Sequence, residues 1–289
     1  MTLRRYEALK WASAFLKENH RDENIGEILL CSRLHLSRTD LFVNNRDLLT
    51  RQDEAWFRER VAEHVKTGAP VQYMLGQAPF YGRMFKVTPA VLIPRQETEE
   101  LVYRIGKWAG RFFPDKKLEV CDIGTGSGAI AITLALEHPD WHVTATDISC
   151  EALAVAGENA RHLGAKVDFR PGDLTVPLAG LHYDILVSNP PYISRTGMEQ
   201  LDDTVKDFEP HLALFGGGDG LDCYRQILRG VTAFSTGPLF LLGFEIGAEQ
   251  GQAISGLIRS TFPNRIEALA VEKDIAGLDR NVLAVLRKK

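Results

Sequence analysis

From residue 118 the chain alternates strand-length apolar runs with helical stretches, and few folds accept that order. Residues 118–123 read as a strand, 129–137 as an apolar helix, 142–147 as a second strand and 151–163 as a helix stopped by Gly164. Residues 167–170, 183–187 and 239–245 supply three further strands. Helices are expected over 221–231 and 250–259, and late strands over 265–271 and 282–286. Alternating β and α predicts an α/β fold, a mostly parallel sheet with helices on both faces.

The first part of the chain has a different rhythm. Residues 1–68 read as helical, with apolar stripes at Leu9, Ala12 and Leu16, at Ile25, Ile28 and Leu29, and at Phe57, Val61 and Val65. Ser37 with Asp40 and Thr50 with Asp53 have the spacing of capping boxes ahead of apolar runs. This part holds 12 Lys and Arg against 11 Asp and Glu. Such a near-neutral balance suits a protein-docking module better than a DNA clamp. Residues 71–76 and 80–87 are aromatic and β-branched with glycine breaks, and are expected to form a small β-hairpin linker. A helix beginning near Glu97 then buries Leu101, Val102 and Ile105.

Composition excludes several classes. The net charge of −4 lacks the basic excess of a dedicated nucleic-acid binder. Cys31, Cys121, Cys150 and Cys223 are scattered without a Cys-x-x-Cys pair, so neither a zinc site nor a disulfide framework is expected. The first ten residues are charged and lack a signal-peptide core, and no run has the apolar length of a membrane span. His138, His142, His162 and His182 are scattered beside loops, where solvated polar roles are expected.

Gly124, Thr125, Gly126, Ser127 and Gly128 lie between the first strand of the alternating region and its helix. Glycines there let the backbone turn sharply and a ligand approach closely. Asp147 ends the next strand, where a carboxylate can accept from two ribose hydroxyls. A nucleoside ligand is therefore expected. A dinucleotide site prefers Gly-x-Gly-x-x-Gly, which seats a pyrophosphate on a helix N-terminus. The Gly-x-Gly-x-Gly spacing here suits S-adenosylmethionine, which has no phosphate. Leu174, after the third strand, is placed to pack on an adenine ring.

Ser188-Asn189-Pro190-Pro191-Tyr192 follows the fourth strand. The two prolines stop the strand and stiffen the chain where open α/β sheets bind ligands. The Asn189 side-chain oxygen and the Pro190 carbonyl can together accept both hydrogens of one planar NH2 group. Such a nitrogen is a poor nucleophile because its lone pair is delocalised. Two accepted hydrogen bonds would hold it and help it toward sp3 geometry. The Tyr192 ring offers a flat apolar face to the same group.

Together these motifs resemble the release-factor glutamine methyltransferases, a family of class I S-adenosylmethionine enzymes. The resemblance extends over nearly the whole chain. It rests on residues 72–76, 80–82, 92–95, 122–128, 172–174, 188–193, 208–210, 217–221, 245–247 and 273–277. Gln96 departs from the second proline usual in the family, and Leu174 from the aromatic of some members. The resemblance implies a class I methyltransferase Rossmann-like sheet, mostly parallel with a late antiparallel strand. A helical substrate-docking domain over 1–68, the hairpin linker over 69–94 and the methyltransferase domain over 95–289 complete the expected organisation.

It further implies S-adenosylmethionine as cofactor, held by Gly124, Thr125, Gly126, Ser127, Gly128, Asp147, Leu174 and Asn189, with no metal. Asn189, Pro190, Pro191 and Tyr192 would bind the substrate glutamine, with Asn189, Pro190 and Tyr192 as the catalytic set. The implied partners are class 1 peptide chain release factors, methylated on glutamine N5 by a cytoplasmic monomer that engages no nucleic acid or membrane. A ribosomal-protein glutamine methyltransferase, a DNA or RNA amino-methyltransferase and a non-catalytic nucleoside-binding scaffold are the alternatives.

Overall fold

The alternation of apolar residues along the strands builds two cores on one sheet. A computed structural model of the protein describes residues 2–114 and 116–288. It divides into one unit of Met1–Gln77 with Asp202–Phe208 and another of Ala78–Leu201 with Glu209–Lys289.

At the start of the second unit, β1 (Gln77–Phe80), whose first residue still belongs to the first unit, and β2 (Arg83–Lys86) form a hairpin. After helix α6 (Gln96–Phe112), strands β3 (Glu119–Ile123), β4 (His142–Asp147), β5 (Val167–Pro171), β6 (His182–Ser188), β7 (Ser235–Glu245), β8 (Ile266–Lys273) and β9 (Asp279–Arg287) make one seven-stranded sheet. Its order is β5-β4-β3-β6-β7-β9-β8. The first five strands in that order pair in parallel, and β9 runs antiparallel to both β7 and β8. Helix α7 (Ala129–Glu137) follows β3, and helix α8 (Cys150–Leu163) follows β4.

Side chains alternate between the two faces along each strand. Val120, Ile185, Val187 and Leu241 join one core with Leu101 and Ile105 of α6. Cys121, Ile123, Leu186 and Leu242 join the other, with Tyr224, Ile227, Ile254 and Ile258 from the later helices Asp222–Val231 and Gly251–Thr261. The chain runs from β3 outward through β4 to β5, then returns to place β6 on the other side of β3. That reversal opens a crevice at the carboxyl ends of β3 and β6, where sheets of this kind take ligands.

The first unit is helical. Helices α1 (Arg5–Glu18), α2 (Ile25–Leu34), α3 (Arg38–Val43), α4 (Arg51–Thr67) and α5 (Val71–Leu75) surround a core of Ala8, Ala12, Leu16, Leu29, Leu30, Phe57 and Val61. Ala8 takes the fully buried place expected of Leu9, and Ile28 is exposed. Ser37 and Thr50 cap α3 and α4, each hydroxyl accepting from the N–H three residues on at 3.0 Å. Residues of the 202–208 segment also belong to this unit. Arg21 donates to Asp203 at 2.7 Å, and the Asp203–Lys206 helical turn follows.

The hairpin differs from its expected form. Residues 71–76 are helical rather than extended, because Pro70 opens the turn and left-handed Gly76 closes it. The two strands are instead 77–80 and 83–86, joined at Tyr81-Gly82 with φ of 49° and 72°, the positive pair of a type I′ turn. Phe80 and Phe85 pack edge to face and are fully buried in the sheet unit's core.

Candidate active site

The turn after β3 is held from below and from the side. Thr125 donates its hydroxyl to the buried Asp122 carboxyl at 2.6 Å. Burial pushes that carboxyl up to about 7, against the Thr125 hydrogen bond. Asn159 of α8 donates to the Ser127 carbonyl at 2.9 Å and pairs with the Lys86 backbone, tying the turn to the hairpin. Gly126, at φ 56°, points its N–H at Asp147 Oδ2 at 2.9 Å. Asp147 Oδ1 takes the Ser149 N–H at 2.9 Å. Burial raises the Asp147 carboxyl, and these backbone donors oppose the rise.

These groups open onto a cavity of about 440 Å3, within the range of small-molecule sites. Of the residues expected at the cofactor or substrate, Gly124, Gly126, Asp147, Leu174, Asn189 and Pro191 line it. Thr125, Ser127, Gly128, Pro190 and Tyr192 are not among its lining residues. Leu174 holds φ at 44°, and its carbonyl accepts from the Thr146 hydroxyl at 2.9 Å. A left-handed leucine costs about 1–3 kcal/mol, and Thr146 fixes it in place.

The remaining wall comes from two segments joined by a charge pair. Arg95 donates to Glu209 at 2.5 Å, and the same carboxylate accepts the Ile93 N–H at 3.3 Å. Residues 89–92 and Pro210, Leu212, Ala213 and Phe215 contribute to the cavity lining. The charged residues among the described lining are Asp147, Glu151 and Asp173, with no Lys or Arg. That wall repels a pyrophosphate and favours a cationic nucleoside. S-adenosylmethionine, with a sulfonium and no phosphate, fits it on that ground.

The Asn189 to Tyr192 segment is braced along its length. Ser188 donates to the Ile123 carbonyl at 2.6 Å. Asn189 Nδ2 donates to Thr98 Oγ1 at 3.2 Å, and Thr98 donates to Glu245 Oε2 at 2.6 Å. Burial pushes Glu245 up to about 7, with Thr98 and Arg280 opposing. Among the described residues Asn189 Oδ1 has no hydrogen-bond partner. The Tyr192 carbonyl accepts from Gln250 at 3.0 Å, and burial pushes the Tyr192 phenol up to about 12.

Two glycines of the 216–220 stretch, Gly216 and Gly220, press on this segment. A Cβ at Gly216 would meet the Pro191 carbonyl oxygen at 2.5 Å, and one at Gly220 the Tyr192 carbonyl oxygen at 2.3 Å. Thr98, Glu245 and Gln250 are the site residues that sequence reasoning passed over. The 245–247 stretch carried a motif signal, but neither Thr98 nor Gln250 carried one.

Residues 111–210 match the Methyltransferase small domain family, and residues 7–76 match the PrmC N-terminal domain family. The chain is 49% identical over 284 residues to a release factor glutamine methyltransferase of Bacillus anthracis, covering 98% of this chain and 99% of that one. It is 46% identical over 287 residues to that of Bacillus subtilis strain 168, covering 98% of each. A methyltransferase structure from Pyrococcus furiosus shares the fold, with a TM-score of 0.51 at 15% identity over 80% of this chain and 97% of that one. With these relatives matched nearly end to end, the chain belongs to the release factor glutamine methyltransferase family.

Proposed function

We propose that this chain transfers the methyl group of S-adenosylmethionine to the side-chain nitrogen, N5, of the glutamine in the Gly-Gly-Gln loop of class 1 peptide chain release factors. The observation that carries the reading is Asn189. It lines an acidic cavity free of Lys and Arg, its NH2 is tied inward, and its Oδ1 is left to accept. The relatives named for this activity, matched over 98% of the chain, support the choice of a protein glutamine as acceptor.

Asp147 would take the ribose hydroxyls, Leu174 the adenine face, and the turn from Gly124 to Gly128 the aminoacyl tail. Bound there, S-adenosylmethionine supplies a methyl group made electrophilic by its sulfonium. Asn189 Oδ1 and the Pro190 carbonyl would accept the two hydrogens of the glutamine NH2, and Tyr192 would carry its planar face. Accepting both hydrogens orients the nitrogen and raises electron density on it, which is transition-state stabilisation by fixed dipoles. Pro191 and the glycines behind it keep those acceptors from drifting.

The helical unit is assigned to docking the release factor. The net charge of −4 gives no phosphate-binding excess, in keeping with a protein rather than a nucleic-acid substrate. No helix among the described residues is long and apolar enough to cross a membrane. The reading places the enzyme in the cytoplasm, acting as a monomer. Radiolabelled methyl transfer tests it. Label should enter intact release factor and be lost with Gln→Ala in its Gly-Gly-Gln loop. Label entering ribosomal protein, DNA or RNA instead would overturn the assignment.

A further inference from the structure

We infer that Thr98 and Glu245 are positioning residues that set which end of the Asn189 amide faces the substrate. The inference rests on the functional reading above and extends it to residues that touch no substrate atom.

The geometry has a direction. An ionised carboxylate only accepts hydrogen bonds. Thr98 therefore spends its one hydroxyl hydrogen on Glu245 Oε2, at 2.6 Å. What Thr98 Oγ1 has left to offer Asn189 is a lone pair. Asn189 meets it with Nδ2 at 3.2 Å. The NH2 end of the amide is thereby held behind the site. A flipped amide would set Oδ1 against the hydroxyl lone pair, and would aim NH2 at the substrate NH2. Two donors facing one another cannot hold a glutamine.

The placement of the three residues is fixed by the fold. Thr98 is 4% exposed in the first turn of α6, and Glu245 is 2% exposed at the end of β7. Tyr224 donates its hydroxyl to the Glu245 backbone carbonyl at 2.7 Å, which pins that strand end. Arg280, Glu97, Tyr192 and Tyr224 supply the charges and titratable groups around the carboxyl. The chain thus buries a carboxylate bonded to the Thr98 hydroxyl, and that hydroxyl in turn holds the Asn189 amide. Such a carboxylate is costly to bury for packing alone.

The test compares Thr98→Val, Thr98→Ser and Glu245→Gln in the full chain, assayed above the titration of Glu245. Valine keeps the shape of threonine and removes the relay. It should lower kcat for release factor about 5- to 10-fold, the worth of one neutral hydrogen bond, with little change in Kd for S-adenosylmethionine. Serine restores the hydroxyl and should return kcat to within about twofold. Glu245→Gln can donate back to Thr98 and should cost more than Thr98→Val. The Asn189 side-chain NH2 signal in a 15N spectrum should exchange slowly in wild type and quickly in Thr98→Val. Wild-type kcat in both Thr98→Val and Glu245→Gln, or equal loss in Thr98→Ser, would overturn the inference. If wild type itself fails to methylate the glutamine, the functional reading falls, and the exchange comparison still decides the amide orientation.

Discussion

Asp147 accepts the backbone N–H of Gly126 at 2.9 Å, so the end of one strand fixes the turn that follows its neighbour. The carboxylate is a brace and, on the proposed reading, a ligand acceptor as well. Asp147→Ala removes both roles. Hydrogen bonds to charged groups contribute about 1.5–3 kcal/mol, so affinity for S-adenosylmethionine should fall roughly 10- to 100-fold. Titration calorimetry measures this, and an unchanged Kd would take Asp147 out of the site.

Gly220→Ala should disturb the proposed catalytic segment by pressing on it from behind. Its φ of 78° already disfavours a side chain, and the new Cβ would lie 2.3 Å from the Tyr192 carbonyl oxygen. We expect a loss of about 1–3 kcal/mol in urea unfolding. Displacement of the acceptors should cut turnover roughly 10- to 100-fold. Gly218 has open space around its position, so Gly218→Ala is the matched control and should behave as wild type.

The Asp122 carboxyl makes stability depend on pH. Burial raises it to about 7, whereas an unfolded Asp titrates near about 3.9. Between those values the folded protein holds a proton that the unfolded chain has released. Its contribution to stability therefore falls as pH rises through that window, by up to about 1.4 kcal/mol per pH unit. Asp122→Asn removes the titration. Urea midpoints measured from about pH 5 to 7 should decline more steeply in wild type than in the variant. Parallel declines would mean that Asp122 titrates at its ordinary value.

Arg21→Ala tests the attachment of residues 202–208. The Arg21–Asp203 pair is short, at 2.7 Å, but Asp203 is half exposed. Global stability should therefore change by no more than about 1 kcal/mol. Local protection is another matter. Amide hydrogen exchange of Val205, Lys206 and Asp207 should quicken while the amides of α4 keep their protection. Unchanged exchange at those three amides would show that the pair holds nothing in place.

Much of this architecture is legible in the sequence because its signals are local. Strands β6 and β7 carry continuous apolar runs at 185–187 and 239–242, and Ser37 and Thr50 announce their helices within four residues. The glycine turn, Asp147 and the Asn189 to Tyr192 segment each carry their chemistry in a short stretch. The relay behind Asn189 does not. Thr98 is 91 residues from Asn189 and 147 from Glu245, and the pairing of β6 with β7, which sets Ser188 opposite Phe244, together with the packing of α6 on the sheet, brings them together. Residues 71–75 misled for a different reason. Valine, tyrosine and methionine read as strand, but Pro70 and Gly76 decide the backbone on either side of them.

The helical unit takes in residues 202–208, which interrupt the sheet unit more than 120 residues downstream of Gln77. It is therefore not a cassette that can be cut at one boundary and moved. A truncation that removes the first 68 residues also strands Asp203 without Arg21. Anyone grafting this helical unit onto another methyltransferase would have to transplant two separate pieces of chain. The second piece would enter between Tyr192 and Pro210. On the proposed reading, recognition and chemistry are therefore written into one another in the order of the sequence, and a change of partner must be made without disturbing the segments that build the cavity.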